Sequence, residues 1–315
     1  MRNLIVRITT FLLFIVLLAG CKKDLDVLAT AQEGSTPATG FGLNNIGVLS
    51  ITVSASTTQL DTAILVFNNA KFGADTKVTI AVDNSIVTDY DSVNDQSFDP
   101  MPADVFTAPT SITIPAGSLQ GSGKLSVNIP KLLTYGSSFA TGLRITAVSG
   151  GSGQIQTFNS KIPIIVQVKN RYDGEYTVTG KMVDYSSATL TGPYPWDVYL
   201  ITSGPNQVQL FDNDYGKSID HKIQSTTNGV TGDSQYGVFG VVFNFDADGN
   251  VISVVNLYGQ PSSNGRSATL DPSGINKYDP ATGSLDVKYW LDQPAVWTPH
   301  RVSFDEHYEF VGARP

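Results

Sequence analysis

His221, His300 and His307 are the three imidazoles that this 315-residue chain offers for acid–base or metal chemistry. His300 and His307 fall on one late segment, too far apart for a compact metal pair, and read as ordinary strand or surface residues. Gly232-Asp233-Ser234 could present a serine nucleophile, but a triad with an aspartate three residues before its histidine is missing. Ser218 precedes His221, Trp297 precedes His300 and Phe304 precedes His307 at that spacing. Asn228-Gly229 and Gly232 also mark this stretch as a loop. Asp212-Asn213-Asp214 and Asp246-Ala247-Asp248 carry oxygen ligands of the kind calcium takes. Neither continues into a twelve-residue loop closed by a bidentate glutamate, so both read as turns. Asp305 and Glu306 are neighbours on a strand and point to opposite faces, so they do not form the carboxylate pair of a glycosidase. A pair of carboxylates distant in sequence stays open. No catalytic residue, metal site or cofactor is assigned.

The aromatic residues are more informative. In "LDVKYWLD", residues 285 to 292, Leu285, Val287, Tyr289 and Leu291 form an apolar face, which leaves Trp290 on the other face with Asp286, Lys288 and Asp292. An indole on a polar face can stack against the C–H surface of a sugar ring. "GPYPWDVY", residues 192 to 199, places Tyr194 and Trp196 where a proline-stiffened loop enters a strand. Trp297 sits in the Pro294-to-Pro299 loop. Trp290, Trp196, Tyr194 and Trp297 are the candidate ligand-binding residues; packing at the ends of a barrel is the competing role for the three tryptophans.

The chain's single cysteine, Cys21, stands directly after a greasy run. Arg2 and Arg7 make a positive head, residues 8 to 20 carry no charge, and Ala19-Gly20 ends the run, which is the layout of a secretory signal. So short a run falls below the about 20 residues that a membrane-crossing helix needs. Leu18-Ala19-Gly20-Cys21 resembles the end of a bacterial lipoprotein signal. That resemblance implies cleavage before Cys21 and attachment of lipid to its sulfur, with two or three acyl chains enough for stable anchoring. Lys22-Lys23-Asp24-Leu25-Asp26 reads as a solvated tether and is also similar to the export tag of outward-facing lipoproteins in Bacteroidetes-type bacteria. The expected location is the outer membrane, facing the cell exterior.

Removing residues 1–20 takes Arg2 and Arg7 from 20 basic residues and none of 28 acidic ones, so the net charge moves from −8 to −10. That balance argues against nucleic acid, whose phosphates call for a basic footprint, and against anionic polysaccharides and anionic lipid surfaces. Residues 21–47 read as a lipidated flexible tether, reaching roughly 25 to 30 Å by random-coil scaling. From Val48 onward, period-two alternation sets in: Leu49/Ile51/Val53, Val78/Ile80/Val82, Ile112/Ile114, Leu125/Val127/Ile129, 143–148 and 162–168. Residues 89 to 104, rich in aspartate, read as a loop or short irregular helix. Residues 48–169 are therefore expected to form an immunoglobulin-like β-sandwich. After the polar break "KNRYDG", strands are expected at 176–183, 196–201, 208–211, 238–245, 251–258, 285–291 and 302–311. They assign residues 170–315 to an antiparallel β-barrel or sandwich, with a lipocalin-like arrangement one option. The fold class is all-β.

The stretch "PADVFTAPTSITIPAGSLQGSGKLSVNIPKLLTYGSSFATGLRI", residues 102 to 145, resembles the amino-terminal domain of unknown function in surface lipoproteins of Bacteroidetes-type polysaccharide-utilisation systems. Ile114-Pro115-Ala116-Gly117-Ser118 and Leu132-Leu133 with Tyr135 carry most of that likeness. "YDPATGSLDVKYW" and "HYEFVGAR" are similar to carboxy-terminal modules paired with it. The resemblance implies a surface lipoprotein that captures neutral polysaccharide or oligosaccharide without catalysis, alongside an outer-membrane transporter. Some relatives carry a family-18 glycosidase-like barrel, whose run of acids and α/β period are missing here. A fimbrial or adhesin subunit is the structural alternative. Strand-donating assembly calls for a cleavable basic residue before the first strand, yet no Lys or Arg occurs between Lys23 and Lys71. A glycoside hydrolase with scattered acids is the third reading.

Overall fold

A computed structural model describes residues 40–43, 47–157 and 159–314. The expected signal peptide, Cys21 and most of the tether lie outside them. Within the described residues the chain is all-β apart from two short helices.

The first half builds two facing sheets. One orders Gln154–Ile155, Gly40–Leu43, Gln59–Asn68, Gln120–Asn128 and Phe106–Thr107. The other orders Leu49–Ser54, Lys161–Lys169, Ser138–Ser149, Thr76–Val82 and Ser111–Ile114. Leu49–Ser54 runs parallel to Lys161–Lys169, and the longer neighbours pair antiparallel. Alternation sends Phe41, Val66, Leu125 and Val127 from the first sheet against Val78, Ile112, Leu143 and Val166 from the second, all buried. The immunoglobulin-like sandwich expected from the pattern is thereby realised.

Three features depart from the sequence reading. Gly40–Leu43, expected within the tether, is a buried strand paired with Gln59–Asn68, because Phe41 and Leu43 belong to the sandwich core. Gln59–Asn68 is a ten-residue strand in the middle of its sheet, and it carried no assignment. Its apolar run Ala63-Ile64-Leu65-Val66-Phe67 hides the alternation at its inner end. Ser85–Asn94 is a regular helix that lays Ile86 and Val87 on the sheet, where residues from 89 on were read as irregular.

In the second half a single antiparallel sheet curls on itself to a nearly closed barrel. Its order is Val251–Asn256, Val241–Phe245, Gln207–Asp212, Trp196–Gly204, Gly174–Asp184, Trp297–Gly312, Leu285–Gln293 and Ser267–Leu270. Side chains tie the end strands to the segment that joins them: Asn256 Nδ2 donates to the Arg266 carbonyl (3.0 Å), and Gln260 Nε2 to that of Ala268 (2.6 Å). Inward positions are filled by Tyr176, Val178, Leu200, Leu210, Phe243, Tyr289, Phe304 and Tyr308, so the interior is a packed core. Gly180 lies opposite Glu306 in the register. Its φ is 153°, and a Cβ there would sit 2.2 Å from the Asp305 carbonyl oxygen. Two strands that carry the site approach closely at that point because no side chain stands between them.

The stretch read as a loop around residue 228 is a hairpin. His221–Thr227 pairs with Val230–Tyr236, and Asn228 and Gly229 take φ 52° and 76° at its turn. Asn-Gly here is the two-residue turn of a hairpin and not a loop. The consequence is large, because this hairpin delivers His221, Lys222 and Tyr236 to the barrel.

Candidate functional site

The long strand Trp297–Gly312 organises the barrel's polar chemistry. Alternation turns Phe304, Glu306 and Tyr308 inward and Asp305 outward, so Asp305 and Glu306 face opposite ways, as expected for neighbours. Glu306 is only 2% exposed, and its carboxylate is met from several elements at once. Tyr194 donates to Oε1 at 2.7 Å; Tyr289 and Tyr308 donate to Oε2 at 2.8 and 2.6 Å. His221 Nε2 stands 3.5 Å from Oε1 and 2.9 Å from the Tyr289 hydroxyl. Its Nδ1 faces the Lys222 carbonyl at 2.7 Å; a carbonyl only accepts, so Nδ1 carries a proton.

Burial on its own would raise the Glu306 carboxyl. The hydrogen bonds and charge from His221, with the bonds from Tyr308 and Tyr194, outweigh it and hold the group below its ordinary value. Tyr194, Tyr289 and Tyr308 are pushed well above the normal phenol range, by burial first and then by the Glu306 charge. A carboxylate so enclosed is a structural anchor.

A second polar cluster sits where the hairpin Leu285–Gln293/Trp297–Gly312 turns. Asp184 accepts from the Ser186 amide (2.8 Å) and hydroxyl (2.6 Å), from the Tyr236 hydroxyl (2.6 Å) and from Arg301 Nη2 (3.1 Å). Burial would raise its carboxyl, but these bonds and the Arg301 charge keep it below the usual range. Arg301 Nε donates to Ser186 Oγ (3.1 Å) and Nη1 to Gln293 Oε1. Gln293 Nε2 in turn donates to the Asn264 carbonyl at 2.8 Å. Arg301 and Arg266 both lie over the Tyr236 ring, at 5.4 and 5.3 Å from its centroid. Trp297 is the register partner of Gln293 and is 45% exposed.

On the outer face of the same hairpin, Trp290 stacks flat on His300, with centroids 3.8 Å apart and planes within 7°. His300 Nδ1 meets Asp292 Oδ1 at 2.6 Å, and Thr269 Oγ1 donates to the other Asp292 oxygen at 2.5 Å. His307 is separately engaged with Asp286, at 2.8 Å.

The proposed aromatic set therefore divides. Trp297 presents an open surface. Trp290 lies on the polar face, but His300 occupies one side of its ring. Trp196 is a correction: it is 2% exposed, packed against the His221 ring, and its indole nitrogen is buried without a partner. Tyr194 is another, because it packs on the core and its hydroxyl is held by Glu306. A loop entering a strand can bury its aromatics as readily as show them, and the barrel end needed both. Asp212 and Asp246 hold turn amides: Asp212 Oδ2 takes the Gly216 amide (2.7 Å) and Asp246 Oδ1 the Asn250 amide (2.8 Å). Among the described residues no group of three or more His, Cys, Asp or Glu is placed to hold a metal.

Sequence reasoning missed Glu306 as a hub, together with His221, Asp184, Arg301 and Arg266. The alternation that paired Phe304 with Tyr308 was the available signal for Glu306. Arg301 gave none, since an irregular register between Leu291 and Gln293 buries Arg301 and Val302 together.

Residues 34–152 match a family model described as a "-like, N-terminal domain". The matched span contains the 102–145 stretch that carried the resemblance, and the expected amino-terminal family domain is borne out there. No curated protein matches the chain significantly. Among solved structures, a Bacteroides ovatus protein of unknown function is similar at 13% identity and TM-score 0.49, covering 87% of this chain and 93% of its own. A multidomain protein from the same organism, which includes a domain of unknown function, gives 13% identity and TM-score 0.49, with 86% and 92% covered. An auxiliary nutrient binding protein of Bacteroides thetaiotaomicron gives 12% and 0.47, with 84% and 89% covered.

The depressed Glu306 carboxyl carries a sign. The unfolded chain takes up its proton first as pH falls, so the stabilisation is complete above the ordinary glutamate value near 4.5 and is lost below it. Glu306→Gln is expected to cost about 2–3 kcal/mol at neutral pH. Its melting temperature should also fall less steeply than that of the unaltered protein between about pH 5 and pH 3. Parallel pH profiles in thermal melts would contradict the hub.

Proposed function

We propose that the protein is a lipid-anchored surface protein that binds glycan, without catalysis, at the end of its barrel around Trp297. The observation that carries this reading is the open indole of Trp297 beside a locked polar joint. Gln293, its register partner, is held from both sides by Arg301 and by the Asn264 carbonyl. A flat apolar surface flanked by fixed hydrogen-bonding groups suits a sugar ring, which offers C–H faces and hydroxyl edges. Because the joint is already ordered, little freedom is lost on binding. Trp290, with His300 on one face and Asp292 and Thr269 alongside, supplies a neighbouring surface for further sugar units.

The absence of catalysis is part of the proposal. The deeply buried Glu306 has its oxygens occupied by tyrosine hydroxyls and stands apart from solvent. Anchoring through Cys21 is read from the lipoprotein-like signal, outward exposure from the Lys22-to-Asp26 stretch, and partnership with an outer-membrane transporter from the resemblance carried by residues 102–145.

Titration of the protein with a polysaccharide panel, followed by tryptophan fluorescence, tests the site. One glycan should give a saturable change, and Trp297→Ala should weaken its binding at least about tenfold, the loss expected of a central aromatic anchor, with the melting temperature unchanged. A flat response across the panel would overturn the reading. For the anchor, Cys21→Ala should move the protein expressed in a diderm bacterial host from the detergent-extracted membrane to the soluble fraction; retention in the membrane would contradict lipidation.

A further inference from the structure

Two guanidiniums share the Tyr236 ring, yet they are not equivalent. Arg301 has all three nitrogens engaged: Nε with Ser186, Nη1 with Gln293 and Nη2 with the Asp184 carboxylate. Arg266, at half-buried depth, has a single hydrogen bond, from Nη1 to the Gly237 carbonyl. Its Nε is buried with no partner, and among the described residues no carboxylate pairs with it. Burial first, and then the Arg301 charge, pull its guanidinium below the normal arginine range. A half-buried cation beside a second cation, with an unsatisfied donor, is an arrangement that a protein tolerates at a cost. An anion arriving at Arg266 would relieve both defects.

We propose that Arg266 receives the carboxylate of an acidic sugar unit in the glycan that stacks on Trp297. This rests on the reading of the Trp297 end as a glycan site. The two residues border one joint: Arg266 ends the loop whose Asn264 carbonyl holds Gln293, and Gln293 is the register partner of Trp297. Arginine is suited to the task, because the Nε edge of its planar fork takes both oxygens of a carboxylate in parallel bonds. Nε is covered in this arrangement, so the proposal includes an outward turn of the side chain beside the exposed Ser263-Asn264 turn as the ligand seats.

The whole-chain charge of −8 sharpens the ligand class. A polyanion would be repelled over its length, whereas an isolated uronic acid on an otherwise neutral glycan meets only the local cation. The ligand class is thus a neutral backbone bearing sparse carboxylates.

The test is an array of uronate-bearing xylo-, galacto- and manno-oligosaccharides, each printed beside its carboxyl-reduced counterpart, probed with the full-length protein. At least one acidic oligosaccharide should bind about tenfold or more tighter than its reduced form, the value of one charge-assisted bond pair. Arg266→Gln should erase that difference while leaving the reduced form's affinity in place, and Trp297→Ala should weaken both forms. Arg266→Lys keeps the charge but lacks the fork, and should retain only part of the preference, which guards against a folding defect in the glutamine variant. Equal binding of the two forms in every pair that binds would overturn the inference and leave the glycan site standing. No binding by any member would overturn both.

Discussion

A single buried carboxylate governs the second half of this protein. Glu306 is placed in a core of aromatic rings where an unpaired charge would be prohibitive, and it is made tolerable by donors from four separate places in the chain. Tyr194 comes from the loop before Trp196–Gly204, Tyr289 and Tyr308 from adjacent strands, and His221 from the small hairpin sheet packed on the barrel. The requirement to satisfy that charge ties the loop, the hairpin and two barrel strands to one point. The aromatic rings around it, such as Tyr289 stacked on Phe304 at 4.8 Å, then have one arrangement open to them.

The same strand that buries Glu306 carries the surface chemistry. Reading back along Trp297–Gly312 from the hub, Arg301 lies at the barrel end, His300 on the outer face and Trp297 at the tip. The two polar clusters differ in kind. Both Glu306 oxygens are matched by donors. Around Tyr236 one arginine is matched, and the other keeps a buried Nε without a partner.

Much of the architecture was legible because alternation is a strong signal. The inward set of Leu285, Val287, Tyr289 and Leu291 read directly from "LDVKYWLD", and Trp290 does lie on the opposite face. The failures have physical causes. Gln59–Asn68 is apolar on both faces at its inner end, so its period is hidden. Asn228-Gly229 signals a tight hairpin as strongly as it signals a loop, and choosing the loop concealed His221. Trp196 and Tyr194 follow a proline-rich entry that looks exposed in sequence, but the barrel closes over them. For Arg266 and Arg301 there was no local signal, since their meeting depends on the long-range return of the 262–266 loop and on a register irregularity.

The most direct measurement is of the three tryptophan indole N–H resonances in nitrogen-15-labelled protein, titrated with whichever oligosaccharide binds. The account predicts that the Trp297 indole shifts most, that Trp290 moves less, and that the buried Trp196 stays in place. A titration in which Trp297 is unmoved while binding saturates would contradict the site, and the glycan surface would have to be sought elsewhere on the molecule.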